Sequence, residues 1–260
     1  MILDNLLFIA FGGFISGILA GFLGIGGGTV LVPLLVALGY SPIQAVATSA
    51  LAITITALSG TLQNWRMGYI KPKSLLYLGV PALLFAQVGV YLSEGLSAAF
   101  LLFAFGLLLV VNIFLVEFRK RVIAKHQHQQ QTSNNNPVIA RITTGGTAGV
   151  LAGLFGVGGG VIMVPLQIIW LGEPIKTAIR TSLGVIVLTA ISACLGHALQ
   201  GNVLFTEGLL LGTGGLIGAQ VSTRFLPKLS NKVISFAFRN LLTILAIYTF
   251  WRSWQIYQGF

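Results

Sequence analysis

Two stretches of the sequence set glycine triplets inside apolar runs: GFLGIGGGTVLVPLL at residues 21–35 and GLFGVGGGVIMVPLQ at residues 153–167. Gly26, Gly27 and Gly28, then Gly158, Gly159 and Gly160, stand where helix propensity disfavours them, because an interior glycine costs about 1 kcal/mol relative to alanine. The chemistry available there is anion binding. A helix beginning at Gly28 and Thr29 leaves its first N–H groups unpaired and turns its positive dipole end toward the break. Glycine brings those amides close to a ligand with no β-carbon in the way. The same triplets also suit close packing, since small residues let membrane helices approach each other.

Hydroxyls add to this set. Thr48, Ser49, Thr56 and Ser59 fall within roughly a 100° sector of a helix, and Thr181, Ser182, Thr189 and Ser192 repeat the stripe. Such a stripe can donate to an oxyanion, or bond its own i−4 carbonyls and a neighbouring helix. Gln87 and Gln220 are matched amides deep in apolar runs; each is expected to face the bundle, as a substrate contact or as helix glue. His197, aligned with Asn64, is a candidate proton group or an interfacial residue. Arg180 and Arg239 either snorkel to the membrane surface or attract an anion.

What is missing narrows the class. Asp4, Glu94, Glu117, Glu173 and Glu207 are the only acids, and each lies at or near the end of an apolar run. The mid-membrane carboxylate usual in proton- or cation-coupled pumps is therefore lacking. The sequence carries no zinc-binding helix motif, phosphate-binding loop, or serine nucleophile with a buried acid. The expectation is a non-enzyme without cofactor or metal. Cys194 is the single cysteine, so no intrachain disulfide can form.

These groups need a scaffold, and composition identifies it. Of 260 residues 55% are hydrophobic and 8% charged, far below the roughly one-quarter charged fraction of soluble domains. Long apolar runs at residues 6–23, 45–62, 74–92, 96–116, 138–155, 177–198, 207–225 and 232–250 are fit to cross a ~30 Å hydrocarbon core as helices. A net charge of +10 does not indicate a nucleic-acid partner, because the Lys and Arg residues lie mostly between the apolar runs. The first run lacks a basic leader and is read as a retained helix.

The chain repeats itself. At an offset of 132, Gly21, Gly24, Gly26, Gly27, Gly28, Val32, Pro33 and Pro42 match Gly153, Gly156, Gly158, Gly159, Gly160, Val164, Pro165 and Pro174. At 133, Thr48, Ser49, Thr56, Ser59, Gly68, Gly79 and Ala86 to Val88 match Thr181, Ser182, Thr189, Ser192, Gly201, Gly212 and Ala219 to Val221. The expected organisation is a first repeat at 1–116, a flexible linker at 117–137 and a second repeat at 138–260. The linker is basic, then Gln- and Asn-rich, and its His126 and His128 are read as solvated rather than metal-bound.

Each half holds five segments when the short apolar stretch after the glycines is counted. That stretch has about ten residues, or ~15 Å of helix, half of the hydrocarbon thickness. The glycine break must then lie at membrane depth, where irregular backbone is tolerated only inside protein or along a cavity. With both termini outside, the basic turns at residues 66–73, 176–180 and 224–232 and the linker all fall inside, while Arg252 alone departs from the pattern. An odd segment count inverts the second half, an arrangement that transporters use for alternating access. The expected fold is an all-α polytopic membrane protein of about ten segments, as two inverted five-segment repeats in the inner (plasma) membrane.

The doubled glycine motif, each copy followed by proline and then Thr-Ser (Pro42, Thr48, Ser49; Pro174, Thr181, Ser182), resembles the signature of the TauE/SafE family, also called TSUP. The resemblance spans nearly the whole chain outside the linker. It implies a transporter, in the direction of export, for small sulfur-containing anions such as sulfite, sulfoacetate or related sulfonates. An anion-conducting channel with the same backbone donors is the alternative reading.

Overall fold

The computed structural model describes residues 2–125 and 137–258. Ten α-helices account for nearly all of them: α1 Ile2–Leu23, α2 Gly28–Ala37, α3 Pro42–Arg66, α4 Pro72–Glu94, α5 Ala98–Lys125, α6 Pro137–Phe155, α7 Gly160–Trp170, α8 Ile175–Leu199, α9 Phe205–Phe225 and α10 Asn231–Tyr257. A 3₁₀ turn, Leu226–Lys228, joins the last two. Every expected apolar run falls on a helix of its own, the run at 96–116 starting two residues ahead of α5, and the short stretches after the glycines are α2 and α7. Of the expected linker, residues 117–125 continue α5 as helix, and residues 126–136, with His126 and His128, lie outside the described residues.

Local chemistry sets the boundaries. Ser41 caps α3, its Oγ accepting from the Gln44 N–H while the Gln44 side chain accepts from the Ser41 N–H, and Pro42 supplies the first helical position. Helices α3 and α8 close in matched fashion. Gly68 and Tyr69 N–H groups bond the Trp65 and Asn64 carbonyls, and Gly201 and Asn202 do the same to Ala198 and His197.

Five helices, α3, α4, α6 over Val138–Phe155, α8 and α10, are long and apolar enough to span a membrane. The burial pattern inverts that of a soluble protein. Leu199 is 91% exposed and Phe114 70%, whereas Asn64, Ser49, Ser182 and His197 are fully buried. Apolar side chains toward lipid and polar ones toward the bundle are what a hydrocarbon solvent requires.

Helix directions follow from the closest approaches. β-Carbons at Gly13 and Gly17 of α1 would overlap the carbonyls of Leu211 and Gly215 in α9, so these two helices run parallel with their backbones in contact. Gly145, Gly149 and Gly153 of α6 meet Leu78, Ala82 and Ala86 of α4 in the same manner. Helix α3 runs parallel to α9 (Leu51 at Gly208, Ile55 at Gly212), and α8 parallel to α4 (Gly184 at Leu75, Leu188 at Gly79). Helices α3 and α8 are antiparallel: Thr61, late in α3, lies beside Gly184 of α8, and Thr48, early in α3, bonds Leu204 just beyond the end of α8. Each half thus lends one helix to the other's bundle, α9 to α1 and α3, α4 to α6 and α8. Absent side chains at these glycines permit the contact.

Candidate functional site

The two glycine loops meet at the centre. β-Carbons at Gly26 and Gly158 would both lie against Ile53 and Ile186, which sit near the middles of α3 and α8. One at Gly28 would overlap the Gly156 carbonyl, and one at Gly160 the Gly24 carbonyl. The loops therefore cross each other by backbone alone. Gly27 and Gly159, which precede α2 and α7, have φ of 86° and 76°, a left-handed conformation that a β-carbon would strain.

Hydroxyls from the facing half and from the same half hold this crossing. Ser49 Oγ donates to the Gly156 carbonyl at 2.7 Å, and Ser182 Oγ donates to the Gly24 carbonyl at 2.8 Å. Thr189 donates to Gly158 at 3.0 Å, and Ser16, a residue the sequence reading did not single out, donates to Gly27 at 3.0 Å. A trans peptide points its N–H opposite to its C=O. Pinning these carbonyls therefore turns the following amides away from the hydroxyls. Among the described residues, the N–H groups of Ile25 to Thr29 and of Val157 to Val161 bond no acceptor. They form two sets of unpaired donors at two helix starts.

Thr29 stands in the first turn of α2, fully buried, with no partner for its Oγ1. An unsatisfied buried hydroxyl costs on the order of 1–3 kcal/mol, and no group of the protein offsets that cost here. The repeat has Val161 at the corresponding place, so the hydroxyl is present on one side only.

The remaining stripe residues bond the main chain, Thr181 excepted. Ser59 donates to Leu216 at 2.9 Å and Ser192 to Leu83 at 2.8 Å, an exchange between matched positions of the two halves. Gln87 Nε2 donates to the Ser192 carbonyl at 2.6 Å, and Gln220 Nε2 to the Ser59 carbonyl at 3.3 Å. Thr56 bonds Ala52 within its own helix, and Thr48 Oγ1 accepts from the Leu204 N–H. Thr181 is buried and makes no hydrogen bond among the described residues. The structure thus places the glycine loops, Ser49, Ser182, Thr189 and Thr29 together at the centre. Gln87, Gln220, Ser59 and Ser192 lie along the α3–α9 and α4–α8 contacts. Arg180, Thr181 and Asn64 lie toward one end of the α3–α8 pair and His197 toward the other.

A family model described as "Sulfite exporter TauE/SafE" matches residues 9–249. The chain belongs to the TauE/SafE family. Among TauE/SafE relatives, it is 29% identical to a probable membrane transporter protein of Xylella fastidiosa, over 98% of each chain. It is 27% identical to the probable membrane transporter protein YunE of Bacillus subtilis, over 90% of this chain and 93% of that one. A probable membrane transporter protein of Methanocaldococcus jannaschii is 30% identical over 78% of this chain and 74% of its own. No solved structure matches the chain. A TauE/SafE protein with several apolar helices is a multi-pass membrane transporter, and the glycine crossing is the feature of this chain that a transport mechanism has to explain.

Proposed function

We propose that this chain is a secondary transporter of small sulfur-containing anions, of the sulfite, sulfoacetate or related sulfonate class, which it exports by alternating access around the two glycine loops. The observation that carries the reading is the central crossing, where unpaired amides at the starts of α2 and α7 and the unpartnered Thr29 hydroxyl collect in a site without carboxylates. Helix N-termini and amide donors suit an oxyanion, and matched broken helices in two halves are how several transporters build a midplane site. With the basic turns on the cytoplasmic side, both termini lie outside and the inverted halves rock against each other about the crossing.

Carrier is favoured over channel by the packing of the crossing. Gly28 packs on Gly156 and Gly160 on Gly24, backbone against backbone, and the glycines of both triplets are buried, which suits parts that separate and re-form better than an open pore. The test is counterflow in proteoliposomes with sulfite, sulfoacetate, thiosulfate, sulfate and chloride. Saturable one-for-one exchange of a sulfur anion supports the carrier; flux linear in concentration, without exchange, identifies a channel; flux of cations alone rejects the anion site.

A further inference from the structure

The polar groups at the two ends of the α3–α8 pair match in sequence but not in bonding. At one end the Leu204 N–H donates to Thr48 Oγ1 at 3.1 Å, and His197 Nε2 meets the Gly153 carbonyl at 3.1 Å. The repeat maps these pairs onto Lys71 with Thr181 and Asn64 with Gly21 at the other end. Neither bond is made there among the described residues. Instead both side-chain amide atoms of Asn64 are fully buried and unpartnered, as is Thr61 Oγ1 one turn earlier on the same helix face.

Across from them stands Arg180. Thr61 faces Gly184 of α8, and Arg180 lies one turn before Gly184, which in an antiparallel pair puts it opposite Asn64. The Arg180 guanidinium carbon sits over the Tyr69 ring, 3.4 Å from its centroid, and its Nε is buried without a partner. Tyr69 is in turn tied to Asn64 by its N–H on the Asn64 carbonyl at 3.0 Å. The cation–π contact fixes the position of a guanidinium, a group whose forked N–H donors suit a planar pair of anionic oxygens. The turn that carries Tyr69 also carries Arg66, Lys71 and Lys73, which raise the local positive potential. The matching end has Ala47 for Arg180, Cys194 for Thr61 and Asn202 for Tyr69.

We infer that Arg180, Asn64, Thr61 and Thr181 form a second, one-sided anion subsite at the basic end of the α3–α8 pair, a station on which a sulfonate or sulfite group rests before reaching the glycine crossing. The inference rests on the anion-transport reading and deepens it. Arg180 supplies the charge and a two-pronged donor, the Asn64 amide and the two hydroxyls supply neutral donors, and Tyr69 holds the arginine in place.

The test titrates purified full-length protein with sulfoacetate, and with sulfite under anaerobic conditions, by calorimetry. It compares wild type with Arg180→Lys, Asn64→Ala, Tyr69→Ala and, at the crossing, Thr29→Val. Arg180→Lys and Asn64→Ala are expected to weaken binding roughly tenfold, the effect of losing a hydrogen bond to a charged group, with the elution profile of the protein unchanged. In parallel, phenylglyoxal labelling of wild type, read by mass spectrometry, needs no variant to fold. Sulfoacetate is expected to slow labelling at Arg180 and not at Arg66 or Arg224. Unaltered affinity in both variants and unprotected Arg180, with binding lost in Thr29→Val, overturns the subsite and keeps the central site. Wild type that binds neither anion overturns both.

Discussion

Ser49 of the first half and Gly156 of the second are joined by a 2.7 Å hydrogen bond, and the matched pair, Ser182 and Gly24, returns it at 2.8 Å. Each half thus holds the other's glycine break by its carbonyl. The serine of the Thr-Ser dipeptide that follows each break in the sequence serves the opposite break, not its own.

Removing one of these hydroxyls leaves a buried carbonyl with a partner missing. Ser49→Ala and Ser182→Ala are each expected to destabilise the protein by about 1–3 kcal/mol and to slow exchange, because the loop amides lose their fixed aim. Thermal denaturation in detergent and counterflow check this, and a stability change near zero in both would show that the carbonyls are held by other contacts.

Thr29→Val keeps shape and removes a hydroxyl that has no protein partner. Stability is expected to hold or rise slightly, since an unsatisfied buried polar group disappears, while affinity for the sulfur anion falls. Melting temperature and calorimetric affinity together check it. A loss of stability with unchanged affinity would make Thr29 structural.

Gly28→Ala and Gly160→Ala place a methyl group onto the backbone of the opposite loop. Overpacking of this kind costs typically 1–3 kcal/mol, so both variants are expected to lose exchange and melt earlier. Gly95→Ala is the control, because a β-carbon there meets only an ordinary contact at 3.8 Å and φ is −78°. Equal behaviour of all three would remove the crossing from the mechanism.

Tyr40, in the turn between α2 and α3, donates its hydroxyl to Glu207 Oε1 at 3.1 Å. Burial and the neighbouring carboxylate both raise the phenol above its ordinary value. The folded state then favours the protonated phenol. Its contribution is fully present below the ordinary tyrosine pKa of about 10 and is lost as pH rises through the raised value. Melting temperature followed from neutral to strongly alkaline pH is expected to fall more steeply in wild type than in Tyr40→Phe; parallel curves would assign the alkaline sensitivity elsewhere.

Much of this was legible in the residues themselves. Eight long, continuous apolar runs point to helices, since a backbone in hydrocarbon has to satisfy its own polar groups and barrel strands are shorter and alternate in polarity. The doubled glycine motif marks two breaks, and the runs of about ten residues after them are too short to span, as α2 and α7 are. The hydroxyl stripe is likewise visible at helical spacing.

Which acceptors those hydroxyls meet was not legible. Spacing along a helix states which residues share a face, but the partner comes from a chain segment more than a hundred positions away, as with Ser49 and Gly156 or Ser59 and Leu216. Ser16 and Thr61 carry no sequence signal beyond hydroxyls in apolar runs, and gain meaning only beside Gly27 and Gly184. The internal repeat maps Thr181 onto Thr48 and Asn64 onto His197, yet one member of each pair is bonded and the other is not. Sequence by itself determined the helices, their breaks and the two-fold correspondence of their parts, because these depend on local propensity and on transfer to hydrocarbon. Only the tertiary structure decided which carbonyls the hydroxyls bond and which buried groups are left without a protein partner, because hydrogen-bond satisfaction depends on neighbours across the bundle.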